Sequence, residues 1–463
     1  MTYHLTQVMS NHDCFNEYLN GICKAALSQV DHCRDCLEEA DNALHKLFRF
    51  TSYSIISINI KDSITVVSTC LFLSIFWFIC EICPICEASY ASKQNEEFSF
   101  WLNYCPEPEW PADHPLPLPK WGNSKPVFTI STLKEYEELI KKLENELQLF
   151  LISKTYDSVT NFIWFYNHYK SKMEDQSFDK FFREYEPILN DNANNCVGLS
   201  LLLIGKLAKL DVFFPGIREC LYLVSCEKNL KNFEKYNNDN PIQWITIKEH
   251  VLICLQIKIF ERKGVLLLDP GYSIARVITV MNDKLSPHTG YFPLFLNSRK
   301  SFLFEMDISG RYVEWLIYNK NKIKEKNLIH IEAPYLSPIS VTERRNLVDN
   351  DKCLYTVNER GQFLAKVYLD VNKPIFHLAY YDYCNDNLVN EKEIEVSYKT
   401  FLSNKKISKK VEKVLQQLSE KFNLTKMEFI TILKTLSNIM NDKEFLKYRE
   451  ITNSYIYRIA NWN

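Results

Sequence analysis

Three segments of the chain carry side chains that together could make and break acyl bonds: Asn195-Cys196-Val197-Gly198, Glu249-His250-Val251-Leu252 and Leu268-Asp269-Pro270-Gly271-Tyr272. A thiol, an imidazole and a carboxylate in that order suit a Cys-His-Asp triad. The thiolate is the reactive form of cysteine, and the positive end of a helix favours it. Asn194 and Asn195 are good caps for the apolar run Val197 to Leu210, so Cys196 is expected in the first turn of a helix. His250 opens a strand-like run in which Leu252 and Cys254 share its face. Asp269 ends the next apolar run, where Pro270-Gly271 turns the chain. If those runs pair as antiparallel neighbours, Asp269 orients the imidazole and His250 deprotonates Cys196. The thiolate would attack an acyl donor to form a thioester, and the N–H of Cys196 or Val197 would stabilise the oxyanion. Gly198 would leave room for substrate beside the sulfur, and Tyr272 and His288 are the expected pocket residues. Each residue also has a plainer reading. Cysteine is often a small buried hydrophobe, and Asp-Pro-Gly is usually just a turn.

The elements that must carry these residues are legible from periodicity. Ser131 to Ile152 reads as an amphipathic helix with Leu133, Tyr136, Leu139, Ile140, Leu143 and Leu147 on one face. Asp157 to Lys170 and residues 178–187 add two more helices. Residues 242–318 change to short β-rich runs separated by turns, and further strands are expected at Ser301–Asp307, Tyr312–Tyr318, Leu328–Glu332, Gly361–Leu369 and Pro374–Tyr381. Lys405–Lys421 and Lys426–Met440 return to amphipathic helix. The predicted fold is α+β: a helical lobe, then a barrel-like antiparallel sheet, then a helical C-terminal tail. The expected divisions are 1–53, a polar Cys/His segment; 54–90, apolar; 104–126, a proline-rich linker; 127–385, the Cys-His-Asp domain; and 386–463, the tail.

Composition narrows the function. With 55 basic and 57 acidic residues the net charge is −2, which gives no support for a nucleic-acid partner. Ten glycines and no phosphate-binding glycine loop argue against a nucleotide cofactor of that kind. Met1 to Asn20 lacks an apolar signal core, so the 15 cysteines read as reduced thiols in a cytoplasmic setting. Residues 64–80 form an uncharged run of 17, a borderline candidate to span a bilayer, which would anchor the protein with its N-terminus in the cytoplasm. Cys80, Cys83 and Cys86 beyond it suit juxtamembrane acylation. Cys33, Cys36 and His45 match the start of a zinc knuckle, but Phe50 stands where a fourth ligand is needed.

Residues 131 to 300 resemble the transglutaminase-like and arylamine N-acetyltransferase-like superfamily of papain-type thiol enzymes. In that group a helical lobe leads to a cysteine at a helix start, with His and Asp on neighbouring strands of a barrel-like sheet. The resemblance implies Cys196 as nucleophile, His250 as base and Asp269 as orienting acid. It also implies acyl-CoA as a candidate donor and a small molecule or protein as acceptor. Ala193-Asn194-Asn195 precedes Cys196 where the acetyltransferases carry Arg-Gly-Gly. The aromatic neighbours typical of the transglutaminases are absent too, so the likeness to the superfamily is firmer than that to either branch. Asp269 to Met281, Pro287 to Phe292, Pro334-Tyr335-Leu336 and Val341-Thr342-Glu343-Arg344-Arg345-Asn346-Leu347 resemble a group of arthropod proteins. The segment Leu5 to Phe50 is similar to the region after the reverse transcriptase of insect non-LTR retrotransposons. Three functions are compatible with this reading: a thiol acyltransferase, a protease-like or deamidating thiol hydrolase, and a non-catalytic scaffold.

Overall fold

The computed structural model describes residues 109–463, apart from 190–193, 231–247, 296–297, 321, 385–386, 403–406 and 461–463. The Cys33, Cys36 and His45 segment, the apolar run 64–80 and residues 104–108 lie outside the described residues. Strand β1 (Phe128–Ile130) leads into helix α1 (Leu133–Ser153). Thr132 caps α1 by accepting the Glu135 N–H at 3.0 Å, while the Glu135 carboxylate accepts the Ser131 N–H at 2.8 Å. Leu139, Leu143, Leu147, Phe150 and Leu151 form its buried stripe. The short β2 (Tyr156–Asp157), α2 (Val159–Lys172) and α3 (Phe178–Glu184) follow, and then α4 (Cys196–Ala208) and α5 (Ile217–Cys220).

The first sheet contains β3 (Leu221–Glu227), β4 (His250–Ile259), β5 (Arg262–Leu268), β6 (Ile278–Met281), β7 (Tyr291–Pro293), β8 (Lys300–Met306), β9 (Tyr312–Asn319) and β10 (Lys322–His330). They run in the order β6-β5-β4-β3-β10-β9-β8-β7, all antiparallel, and β1 joins as a ninth strand parallel to β4. Strict alternation divides the apolar residues between two cores. Val251, Ile253, Leu255 and Ile257 pack with Leu221, Leu223, Leu266 and Leu268 against α1 and α4. Leu252 and Cys254 face the other way, into a core with Val224, Leu267, Phe302, Phe304 and Trp315. Residues from β3 to β9 share that second core, so the sheet curls around it.

After β10 comes a wide π-helical turn, Pro338–Glu343, and then α6 (Arg344–Val348). The second sheet, in the order β14-β13-β12-β11-β2, is built from β11 (Asp351–Val357), β12 (Phe363–Asp370), β13 (Ile375–Cys384) and β14 (Asn387–Ser397) with β2. Helices α7 (Lys399–Leu402), α8 (Lys409–Lys421), α9 (Lys426–Asn441) and α10 (Lys443–Ala460) complete the chain. They pack on this sheet together with α2 and α3, around Phe162, Phe165, Leu378, Leu415, Phe429 and Phe445. The fold is α+β, as expected. The tail expected from 386 begins differently: Asn387–Ser397 is a strand hydrogen-bonded to β13 along its length, and it belongs to the same compact unit as the other described residues. The alternation in β14 is hidden because its residues are mostly polar and exposed. No helix among the described residues is long and apolar enough to cross a membrane.

Candidate active site

Cys196 is the first residue of α4, and Asn195 caps that helix by accepting the Val197 N–H at 2.9 Å. The carbonyl of Asn194 accepts the Asp157 N–H at 2.8 Å, which ties the entry of α4 to β2 in the second sheet. Gly198 does not make space for a substrate. A Cβ there would collide with the Asn194 side chain, 2.6 Å from its Cγ, so the missing side chain accommodates Asn194. The sequence could not show this, because the chain turns back on itself at the cap.

His250 and Asp269 meet as antiparallel pairing requires. Ile253 is opposite Leu268 in the β4–β5 ladder, which brings the first residue of β4 to the residue that follows β5. His250 Nε2 lies 2.8 Å from Asp269 Oδ2. The other carboxylate oxygen accepts the Tyr272 N–H at 2.9 Å, so the Asp-Pro-Gly turn itself orients the acid. Asp269 thus commits Nε2.

Gly271 lies where the thiol and imidazole converge. A Cβ on it would stand 2.6 Å from Cys196 Cβ and 2.9 Å from His250 Cε1. Its carbonyl accepts a 2.6 Å hydrogen bond from the Tyr355 hydroxyl on β11. Tyr355 stacks on Tyr156 with centroids 4.7 Å apart and planes at 4°. The second sheet therefore braces the turn that carries Asp269. Tyr272 packs edge-on to the His250 ring at 4.9 Å and to Trp315 at 4.7 Å.

Cys196, His250 and Asp269 are 3%, 2% and 1% exposed, so their charges interact with little screening by water. Burial works against a charged His250. The charge and hydrogen bond of Asp269, with the influence of the neighbouring Cys196, outweigh it and raise the imidazole to about 9. The Cys196 sulfur also lies 4.0 Å from the Glu249 carbonyl and 3.7 Å from Asn346 Nδ2 on α6. Next to it the fully buried Arg345 pairs with Asp349 at 3.2 Å and Glu249 at 3.8 Å, and Lys228 reaches Glu249 at 3.6 Å.

Of the expected pocket residues, only Tyr272 adjoins the pair. His288 accepts the Met281 N–H at 3.2 Å, and Met281 is opposite Gly264 near the start of β5. That is the far end of the strand from Asp269, roughly 17 Å away at ~3.3 Å per residue. The residues missed by sequence reasoning are Asn346, Gly271, Trp315 and Tyr355. Asn346 stands in a segment singled out only for its resemblance, 150 positions from Cys196. Its nearness depends on how α6 docks against α4, which periodicity does not encode.

Among the described residues no group of three or more His, Cys, Asp or Glu could hold a metal ion, and all six cysteines there are free.

No protein-family model matches the chain, and no curated protein matches it. Among solved structures, Mycobacterium smegmatis arylamine N-acetyltransferase is similar over 65% of this chain and 92% of its own, at 9% identity and a TM-score of 0.36. The M. tuberculosis enzyme is similar over 73% and 99%, at 9% identity and a TM-score of 0.33. The Mycobacterium marinum enzyme, solved in complex with CoA, is similar over 74% and 98%, at 10% identity and a TM-score of 0.31.

Proposed function

We propose that the protein catalyses thiol-dependent acyl transfer, with Cys196 as nucleophile, His250 as its base and Asp269 as the group that orients His250. The observation that carries this reading is His250 itself: buried, fixed by Asp269 through Nε2, and next to Cys196 at the start of a helix. A structural histidine could be buried with one partner, but it would have no need of a thiol beside the glycine that packs on its ring. The imidazole takes the Cys196 proton, and Asp269 stabilises the imidazolium that results. The thiolate attacks the acyl donor, the leaving group departs with a proton from His250, and an acceptor then releases the acyl group from the thioester. Acyl-CoA is one donor class to test. Water as acceptor would make the same residues a hydrolase.

The test is site-resolved labelling of Cys196 with iodoacetamide across pH, read by mass spectrometry, in the wild type and His250→Ala. An ordinary thiol of pKa ~8.5 is about 0.3% thiolate at pH 6. The wild type should label at least about tenfold faster at pH 6 than such a thiol, and the variant should lose that advantage. A profile that rises only near pH 8.5, identical in both proteins, would leave Cys196 an ordinary buried thiol and the fold a scaffold.

A further inference from the structure

We infer that Asn346 supplies the side-chain hydrogen-bond donor that stabilises the oxyanion formed on Cys196. This inference rests on the acyl-transfer reading and identifies one of its working parts. A nucleophile at a helix start commonly draws oxyanion donors from the first-turn amides, and those of Cys196 or Val197 were the expectation here. Val197 N–H is already taken by its own cap, Asn195 Oδ1, at 2.9 Å. Leu199 N–H is taken by the Asn195 carbonyl at 3.0 Å. Asn346 Nδ2 donates to the sulfur at 3.7 Å and adds a side-chain donor to the remaining candidate, the Cys196 N–H.

The donor is well anchored. Asn346 sits on α6, directly after the π-helical turn Pro338–Glu343, a distortion that recurs at functional sites. Its backbone carbonyl accepts from the buried Lys352 Nζ at 3.1 Å. Arg345 and Leu347 on either side are buried, whereas Asn346 itself is half-buried. A neutral amide also suits the position. It can donate to developing negative charge without pairing permanently with the thiolate.

In the step proposed, the thiolate forms a C–S bond to the carbonyl carbon and the π pair moves onto oxygen, where Asn346 Nδ2–H donates to it. The carbonyl then reforms as the bond to the leaving group breaks, and His250 gives that group its proton. A donor of this kind contributes only where an oxyanion develops.

Two reactions at the same sulfur separate this role from a structural one. Acylation by p-nitrophenyl acetate passes through an oxyanion, whereas alkylation by iodoacetamide does not. In Asn346→Ala, acylation followed by p-nitrophenolate release and the mass of the Cys196 peptide should fall on the order of 10²-fold. Alkylation should change by less than about threefold, since the thiolate is retained. Asn346→Leu, close in shape and without a donor, should behave like Ala and guards against a packing defect. If Asn346→Ala and Asn346→Leu acylate at the wild-type rate, the inference is overturned. A parallel fall in both reactions also overturns it, because Asn346 would then act on the sulfur. A wild type that forms no acyl-enzyme and labels as an ordinary thiol overturns the acyl-transfer reading itself, and this inference with it.

Discussion

Asp269→Asn should reverse the direction in which the protein shifts the His250 imidazole. Burial is the largest single influence on that group and disfavours its charge. The Asp269 charge and hydrogen bond, with Cys196, overcome it and raise the imidazole from 6.5 to about 9. The amide in Asp269→Asn keeps an acceptor for the Tyr272 N–H and the shape of the turn, but removes the charge. Desolvation is then opposed only by Cys196, so the imidazole should titrate below 6.5. A rise from 6.5 to about 9 corresponds to about 3 kcal/mol, at about 1.4 kcal/mol per pH unit. Because the folded value lies above the unfolded one, this stabilisation is fully present below pH 6.5 and is lost as pH rises through 9. The assay is NMR titration of histidines labelled at Cε1, with the His250 resonance assigned among the ten histidines by its loss in His250→Ala. Denaturant unfolding at pH 6 and pH 10 follows the same linkage. The wild type should lose about 3 kcal/mol more than Asp269→Asn between those pH values. A wild-type His250 that titrates near 6.5, or a variant that still titrates near 9, would refute the reasoning.

Gly271→Ala inserts a methyl group 2.6 Å from Cys196 Cβ and 2.9 Å from His250 Cε1. It should push the thiol and imidazole apart, lower stability by about 1–3 kcal/mol and return Cys196 labelling to that of an ordinary thiol; rapid labelling at pH 6 in this variant would mean that the two groups are not in contact. Glu343 is fully buried, accepts from Asn161 Nδ2 at 2.9 Å and is raised by burial to about 7. A carboxylic acid raised in the folded state costs stability as pH rises from 4.5 to 7, and the full penalty stays above 7. Glu343→Gln keeps the Asn161 acceptor and removes that penalty, so it should match the wild type at pH 4.5 and exceed it by up to about 3 kcal/mol at pH 8 in urea unfolding. Equal stability of the two at pH 8 would show that Glu343 ionises without strain.

How much of this could be read from the sequence follows from the range of each interaction. The helical spacing of α1, the apolar alternation of β4 and β5, and the stop at Asp269-Pro270-Gly271 are local, and each appears at the expected position. His250 and Asp269 are 19 positions apart but belong to consecutive antiparallel strands, so one assumption about pairing brings them together. Asn346 and Tyr355 reach the same few ångströms from the far side of the chain, through α6 and β11. Their own segments carry no periodicity that points to Cys196. Tyr355 is an ordinary β residue until its hydroxyl meets Gly271 O, and Asn346 an ordinary helical one until its amide meets the sulfur. His288 shows the converse: it is close in sequence to Asp269, yet β6 carries the chain to the opposite end of the sheet before it is reached. Cys196 and His250 are therefore set by neighbouring elements of the first sheet and α4. The groups that brace and complement them come from the second sheet and α6. That division makes a specific demand of the chemistry. Variants that loosen the docking of α6 should disturb acylation at Cys196 before they disturb the His250–Asp269 pair, since α6 carries Asn346 but neither member of that pair.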